Sequence, residues 1–199
     1  DAANSEGRTV LYVSHNMNTI RQLCARCIVM DHGRIIFDGN TKEAISIYMN
    51  STKKPNLIND CSQISRNKSI IDENIHVNKV TFIDTDTTEY YPGEKVRVKV
   101  EYSTKKAMHE IAFRMTIEAA DKTIVGLATS KKCINARQGE NEATLTLALD
   151  WLAPGKYIVK LTAYSVNEYG TNQMHDVVEN AFAFEKRQDR DTNNSMVWN

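Results

Sequence analysis

The sequence lacks an excess of charge of either sign. Lysine and arginine together number 25, aspartate and glutamate together also number 25, and the formal net charge is zero. Nucleic acids and anionic lipids usually select proteins with a surplus of basic residues, so we expect no nucleic acid as the main partner. Because 41% of the residues are hydrophobic, the chain can still bury a core.

Long apolar runs and paired cysteines are also scarce. No run approaches the roughly 20 residues that span a membrane, and no signal-peptide pattern is present, so the sequence predicts a soluble chain. The four cysteines, Cys24, Cys27, Cys61 and Cys133, are too few and too scattered for a disulfide scaffold. Cys24 and Cys27 form a C-x-x-C, but no second pair or suitably placed histidine completes four ligands. We therefore predict reduced thiols and no metal site.

The N-terminal residues alternate between strand and helix patterns. A continuous apolar run over Thr9–Ser14 is typical of a strand buried on both faces. An amphipathic helix follows, and two short apolar runs on either side of His32-Gly33 predict a hairpin. Asn40 or Thr41 is then placed to cap a short helix.

The chain changes character after residue 50. Residues 51–73 are polar and lack a sustained period, which predicts a linker. From residue 74 onward, apolar and polar residues alternate with a period of two, which is typical of half-buried strands. The alternation covers seven segments: 75–83, 96–102, 111–118, 124–129, 144–149, 157–164 and 177–184. Seven strands with turn residues and no helix between them predict an immunoglobulin-like antiparallel β-sandwich, so the fold class is mainly β.

The stretch "TVLYVSHNMNTIRQLCARCIVMDHGRIIFDGNTKEAISIYM" resembles the final strand, helix, hairpin and helix of an ABC transporter ATPase domain. Ser14-His15 resembles the switch-histidine loop of that family, and "VMDHGRIIFDG" resembles its closing hairpin. Ala25 stands where family members often carry an acidic residue. The resemblance implies that residues 1–50 are a short α/β remnant of the ATPase domain and that His15 contacts the γ-phosphate in the parent protein.

The chain lacks the other parts of an ATP site. It contains no G-x-x-x-x-G-K-[ST] loop, no carboxylate at the end of an apolar strand before His15, and no Ser-Gly-Gly signature segment. One histidine cannot position phosphates and Mg²⁺ alone. We therefore expect His15 to be catalytically inactive here, the chain not to be an enzyme, and ATP and Mg²⁺ to bind only to the full-length parent.

Four stretches of the second region resemble the Wzt-type ATPase subunits of bacterial exporters of O-antigen and related polysaccharides. They are "YYPGEKVRVKVEY", "LALDWLAPGKYIVKLTAY", "DVVENAFAFE" and "MVWN". The resemblance implies that residues 74–199 recognise the end of a cell-surface glycan and couple chain completion to export. It also implies a cytoplasmic location at the inner face of the membrane, a transmembrane subunit as partner, and a homodimer that uses the C-terminal tail.

A sheet face can bind sugars by combining an aromatic ring with polar groups that reach the hydroxyls. If 111–118 pairs with 155–165, four candidate side chains project from one outer face, and the following loop supplies two more. The predicted glycan-binding residues are Arg114, Thr116, Thr162, Tyr164, Tyr169 and His175.

Two alternatives stay open beside glycan recognition. The sandwich could be a dimerisation or interaction module that pairs ATPase subunits without binding glycan, since any half-exposed sheet carries charged residues and threonines on its wet face. A carbohydrate-active enzyme would need two carboxylates across a cleft. Glu101 and Glu118 project from strands, but nothing around them in the sequence indicates a groove, so we do not favour this reading.

Overall fold

The computed structural model describes residues 10–14, 17–31, 33–51, 55–130 and 133–188. The chain divides into two compact units, and the break lies between residues 52 and 53. The C-terminal unit contains both large sheets and the main hydrophobic core.

The N-terminal unit contains two helices and one hairpin. These are α1 (Met17–Leu23), β1 (Arg26–Asp31), β2 (Arg34–Asn40) and α2 (Thr41–Ser51). The two strands pair antiparallel, and Gly33 in the turn has a φ of 79°, which favours glycine. The side chain of Asn40 accepts a hydrogen bond from the Glu43 amide at 2.9 Å. The predicted hairpin and the Asn40 cap are therefore confirmed.

The apolar run before α1 does not form the predicted strand. Its described part, residues 10–14, is irregular, and Val10, Leu11 and Val13 are 66%, 89% and 96% exposed. A strand of this composition is stabilised by neighbours that cover both of its faces. Among the described residues, no strand pairs with this segment. The prediction of a strand over Thr9–Ser14 is therefore wrong for these residues.

The described residues of the C-terminal unit form ten strands. They are β3 (Ile58–Asp60), β4 (Ile75–Phe82), β5 (Glu89–Tyr90), β6 (Lys95–Thr104), β7 (Met108–Ala119), β8 (Ile124–Thr129), β9 (Ile134–Ala136), β10 (Gly139–Ala148), β11 (Gly155–Val166) and β12 (Asn172–Lys186). Each of the seven predicted strands corresponds to one of the longer elements. The three strands that the sequence did not predict, β3, β5 and β9, are two or three residues long.

The strands form two sheets. The smaller sheet has the order β10-β6-β4-β3, and the larger has the order β5-β12-β11-β7-β8, with β9 attached to β7. The long strands all pair antiparallel, whereas the short β5 pairs parallel with β12. The predicted pairing of 111–118 with 155–165 is confirmed, because β7 and β11 are neighbours at the centre of the larger sheet.

The core is formed by the alternate residues that face inward from both sheets. Tyr102 of β6 packs edge to face on Phe113 of β7, with ring centroids 5.4 Å apart. Phe82 of β4 and Phe182 of β12 make a similar contact at 5.4 Å. Burial of each such ring contributes about 1.5–3 kcal/mol. The predicted mainly β sandwich is confirmed, and the period of two in the sequence is the alternation between this core and the outer faces.

The segment predicted as a linker over 51–73 belongs largely to the sandwich. β3 lies inside it and pairs with β4 at the edge of the smaller sheet. Cys61 directly after β3 is fully buried in the core. The sequence of this segment is polar and shows no local period, so it does not predict the structure. Long-range contacts with β4 and with the core define it instead.

Candidate functional site

The predicted glycan-binding face lies on the central strands of the larger sheet. Thr162 of β11 is directly opposite Arg114 of β7, and Lys160 is opposite Thr116. The inward row of β11 carries Val159, which belongs to the core. The register therefore brings Arg114, Thr116, Thr162 and Tyr164 together on the outer face, as the sequence predicts.

Three of these four residues are more buried than the sequence predicts. Thr116 and Thr162 are each 5% exposed, and Tyr164 is 7% exposed. Thr116 lies between the longer side chains of Lys160 on β11 and Leu127 on β8. A short side chain flanked in this way on two central strands has little contact with water. The burial of these three side chains does not support the prediction that each of them contacts a glycan directly.

Arg114 is the accessible member of the face. Its guanidinium carbon lies 4.8 Å from the centroid of the Tyr164 ring, and the side chain is half-buried. Within the part of the chain that the structure describes, Arg114 has no hydrogen-bond or ion-pair partner. The ring beneath it holds the planar group by a cation–π contact and leaves its five N–H donors unused.

Charged side chains of both signs lie on the same outer face. The ammonium group of Lys160 is 3.9 Å from a carboxylate oxygen of Glu118 and 3.6 Å from one of Glu179. The Glu118 side chain is only 10% exposed, whereas that of Glu179 is 55% exposed, so Lys160 and Glu179 are the charged groups here that a ligand can reach. The face offers a planar donor group, an ammonium and the exposed Glu179 carboxylate, which suits a ligand rich in hydroxyls.

Tyr169 lies in the turn that joins β11 and β12. The side chain of Asn167 accepts hydrogen bonds from the amides of Tyr169 at 3.0 Å and Thr171 at 2.8 Å. Gly170 has a φ of 76°, which a turn of this shape requires. The Tyr169 side chain is 83% exposed. The turn therefore presents a free aromatic ring on a backbone held by hydrogen bonds.

His175 is not the surface ligand that the sequence predicts. It is 2% exposed and lies in a β-bulge of β12. Its Nδ1 is 2.9 Å from a carboxylate oxygen of Asp72, and its Nε2 is 2.8 Å from the Ser165 hydroxyl. We assign Nδ1–H as donor to Asp72 and Nε2 as acceptor from Ser165, because Asp72 accepts only.

The hydrogen-bonded series of carboxylate, imidazole and hydroxyl groups has the same order as a hydrolase triad. Its members are Asp72, His175 and Ser165. The Asp72 carboxylate, however, also accepts from Gln173 at 2.8 Å and from the Asn74 amide at 2.9 Å. A carboxylate saturated in this way fixes one chain segment to another. We therefore interpret the arrangement as structural, and the prediction of His175 as a glycan contact is not supported by its burial.

A second buried network holds the same segment. Arg66 pairs with Asp176 at 2.8 Å, and the two side chains are 6% and 1% exposed. The guanidinium also donates to the carbonyl oxygens of Cys61 and Val77, each at 2.9 Å. The sequence did not predict either of these two buried hydrogen-bond networks. The available signal was the polar cluster at residues 72–74 directly before β4, which is typical of a side-chain-stabilised turn.

The remaining predictions concern other kinds of site. His15, the predicted switch histidine, and the C-terminal tail lie outside the described residues. The sequence contains no G-x-x-x-x-G-K-[ST] loop, so the absence of ATP binding stays a prediction. Burial and the neighbouring Cys27 thiol raise the pKa of Cys24, which favours its unreactive form.

The described residues contain neither a metal-binding cluster nor a helix that could span a membrane. No group of three or more histidine, cysteine, aspartate or glutamate side chains there could hold a metal ion. No helix in this part of the chain is long and apolar enough to cross a membrane.

Two regions of this chain, of different length, are similar to known proteins. A family model for the Wzt C-terminal domain matches residues 70–198. The crystal structure of the C-terminal domain of Wzt superposes with a TM-score of 0.53 at 10% identity, covering 69% of this chain and 89% of that one. At this identity, the superposition shows a shared fold.

The curated relatives are ATP-binding proteins of importers. Methionine import ATP-binding protein MetN 1 of Bacillus cereus is 40% identical over 48 residues, which are 24% of this chain and 14% of the relative. MetN 4 of Oceanobacillus iheyensis is 41% identical over 49 residues, with the same coverage. The chain thus covers 14% of the length of each of these relatives, or about one seventh.

Proposed function

Because the chain belongs to the Wzt C-terminal domain family, we propose that it is the substrate-recognition module of a bacterial polysaccharide ABC exporter. In this proposal, the sandwich binds the end of a cell-surface glycan, such as O-antigen, and thereby couples chain completion to export. The observation that carries the proposal is Arg114, which lies on the Tyr164 ring with its donors unused at the centre of the larger sheet.

The face has the chemistry that glycan binding needs. A guanidinium can donate two parallel hydrogen bonds to vicinal hydroxyls or to an acidic substituent on a terminal sugar. Lys160 adds a further donor, and the exposed Glu179 adds an acceptor. Tyr169, exposed on the adjoining turn, supplies a ring for the C–H face of a sugar. Of the six predicted contacts, we retain Arg114, Tyr164 and Tyr169 as the residues to test.

The proposal extends to the full-length parent. There the chain would be the C-terminal part of an ATP-binding subunit that uses ATP and Mg²⁺ and works with a transmembrane subunit at the inner face of the membrane. We also propose a homodimer that uses the C-terminal tail. The identity to ATP-binding relatives over 48 residues and the family match over 70–198 support this arrangement.

Titration calorimetry with purified O-polysaccharides of defined end groups tests the binding. We expect saturable binding by the 199-residue chain and a loss of roughly 10- to 150-fold in affinity for Arg114→Ala, since a charge-assisted hydrogen bond contributes about 1.5–3 kcal/mol. Arg114→Lys keeps the charge but loses the planar group, so its affinity should lie between those of the wild type and Arg114→Ala. Arg137→Ala, at an exposed arginine of the β9–β10 turn, is the matched control.

Two results would contradict glycan recognition at this face. One is equal affinity for wild type and Arg114→Ala. The other is the absence of binding to every polysaccharide tested while light scattering reports a dimer. The second result would favour the alternative, a module that pairs ATPase subunits without contacting the glycan.

A further inference from the structure

β10 forms one edge of the smaller sheet, and its outer side has no partner strand among the described residues. It pairs with β6 alone, in an unbroken register that runs from Gly139 opposite Thr104 to Ala148 opposite Lys95. The strand at the other edge of this sheet, β3, is only three residues long. The free side of β10 therefore carries a long row of backbone N–H and C=O groups to which a further strand can add.

The sequence of β10 lacks most of the features that prevent an edge strand from pairing. It contains no proline, no lysine and no arginine, and its pairing with β6 shows no bulge. Thr144 and Thr146 project outward from its middle, and both are exposed. Threonine is among the residues that favour pairing of strands. The charged residues of β10, Glu140 and Glu142, both lie near its first residue.

The charges on the outer face of the smaller sheet favour a second copy of this chain as the partner. Glu140 and Glu142 lie at one end of β10, whereas Lys95 and Arg97 of β6 lie beside the other end, and all four are exposed. An antiparallel strand of the same sequence reverses this order. It therefore brings its own acidic end next to the basic end of the first copy, and a twofold axis makes the same contact a second time.

The register centred on Thr144 shows how these charges would meet. In this register, Thr144 lies opposite Thr144 of the second copy, and Thr146 lies opposite Glu142 of the second copy. Thr146 is also the partner of Arg97 on β6. Because threonine is short, the long side chains of Glu142 and Arg97 can approach each other across it.

The same side of the sandwich exposes apolar side chains. Trp151 follows the end of β10 by three residues and packs on Gly126 of β8, where a Cβ atom would lie 2.3 Å from the indole ring. Trp151 is nevertheless half-exposed, and Ile124 and Val125 of β8 are also exposed. An exposed apolar cluster beside an unpaired strand indicates contact with another protein surface.

From these observations, we infer that β10 is a contact surface between two copies of this chain. The two β10 strands pair antiparallel and join the four-stranded sheets of both copies into one sheet of eight strands. The twofold axis is perpendicular to this sheet, so the Arg114 faces of the two copies point to the same side. This contact is separate from the C-terminal tail, and it goes beyond the proposed function because it does not depend on glycan binding.

Oxidative cross-linking of the 199-residue chain tests the contact and its register. In Thr144→Cys, the two new thiols lie directly opposite each other, with Cα atoms about 4.5–5.5 Å apart, which is within the range that a disulfide spans. Thr146→Cys is the matched control, because its thiol lies opposite Glu142 and not opposite its own copy. We expect Thr144→Cys to give more disulfide-linked dimer on non-reducing gels than Thr146→Cys. The wild type, in which Cys133 is exposed, gives the background.

Charge reversal with sedimentation equilibrium tests the contact without an added cysteine. Glu142→Lys replaces attraction to Arg97 by repulsion twice in each dimer, so it should raise the dissociation constant by roughly two- to thirtyfold. In the single copy, this change removes a like-charge pair with Glu101, so the fold should be retained. Adding Arg97→Glu to Glu142→Lys should restore the affinity. Glu168→Lys, with the same change of charge in the exposed β11–β12 turn, is the control.

The outcomes separate this inference from the proposed function. Equal cross-linking of Thr144→Cys and Thr146→Cys, or a wild type that stays monomeric at every concentration, would overturn the β10 contact. A dimer that Glu142→Lys does not weaken would also overturn it and would leave glycan recognition standing. Dissociation by Glu142→Lys that Arg97→Glu reverses supports the contact, even if no polysaccharide binds and the proposed function fails.

Discussion

Asp72 is the acidic residue that connects the segment before β4 to the β11–β12 hairpin. Its carboxylate accepts hydrogen bonds from the Asn74 amide at 2.9 Å, from Gln173 at 2.8 Å and from His175 at 2.9 Å. Burial by itself would raise the pKa of this carboxyl. The hydrogen bonds from Asn74 and His175 outweigh it, and the pKa is lowered below its usual value.

The lowered pKa predicts how stability depends on pH. A carboxyl whose folded pKa lies below its unfolded value, about 3.9, stabilises the fold above that value and loses its contribution as the pH falls through the folded pKa. We expect Asp72→Asn to lower the free energy of unfolding by roughly 1–3 kcal/mol at pH 7. The difference from wild type should shrink as the pH falls below the unfolded pKa. Urea unfolding at a series of pH values measures this.

Asp150→Asn is the control for this pH series, because Asp150 is exposed. It should follow the wild-type stability at each pH. A difference between Asp72→Asn and wild type that stays constant from pH 7 to the acid limit would show that the charge of Asp72 is not what stabilises the hairpin.

At the scale of elements, the sequence predicts the strands that are long enough to show a period. β6, β7, β10, β11 and β12 each have ten or more residues, and their alternation sets both the strand and the buried face. β3, β5 and β9 are too short to show a period, so only pairing with neighbours defines them. The apolar run before α1 shows the reverse case, in which a strand pattern does not form a strand without partners.

The sequence predicts which residues of the candidate site share one face of the sheet. It does not predict how exposed each of these side chains is. The period of two places Arg114 and Tyr164 on one face, and the pairing of β7 with β11 follows from the order of strands in the predicted fold. The burial of Thr116, Thr162 and His175 depends on cross-strand neighbours and on Asp72, which are distant in sequence. No local pattern contains that information.

The segment that carries β3 depends on the buried ion pair between Arg66 and Asp176. Removing one member of a buried pair leaves the other charge without compensation, which costs about 3–5 kcal/mol. We expect Arg66→Met to lower the free energy of unfolding by that amount, as measured by urea denaturation. Hydrogen exchange of the Cys61 amide, which donates to Asn78 at 2.8 Å, should also become faster.

Lys68→Met is the matched control, since Lys68 and Glu73 pair at 3.0 Å with side chains that are 77% and 42% exposed. An exposed pair of this kind contributes about 0–1 kcal/mol. Equal and mild effects of Arg66→Met and Lys68→Met would show that the buried ion pair does not stabilise this segment.

At the scale of the whole molecule, the two units differ in how much core each one has. The hydrophobic core cluster consists of residues between Cys61 and Phe184, all within the C-terminal unit. In the described part of the N-terminal unit, the buried apolar residues are Met17, Val29, Ala44 and Ile45. The same unit leaves Leu23 and Ile35 67% and 61% exposed. A unit of this size with so small a core is at the limit of independent folding.

This difference predicts that the sandwich folds without the residues before it. A chain that begins at Pro55 retains the whole core, both sheets and the Arg66–Asp176 pair, so its thermal unfolding midpoint should equal that of the 199-residue chain in circular dichroism. Residues 1–54 alone should give the spectrum of an unfolded chain, because too little apolar surface is buried to offset the loss of conformational entropy. A lower midpoint for the shortened chain would show that the N-terminal unit stabilises the sandwich. If polysaccharide binding survives the truncation, the binding site lies within the sandwich alone.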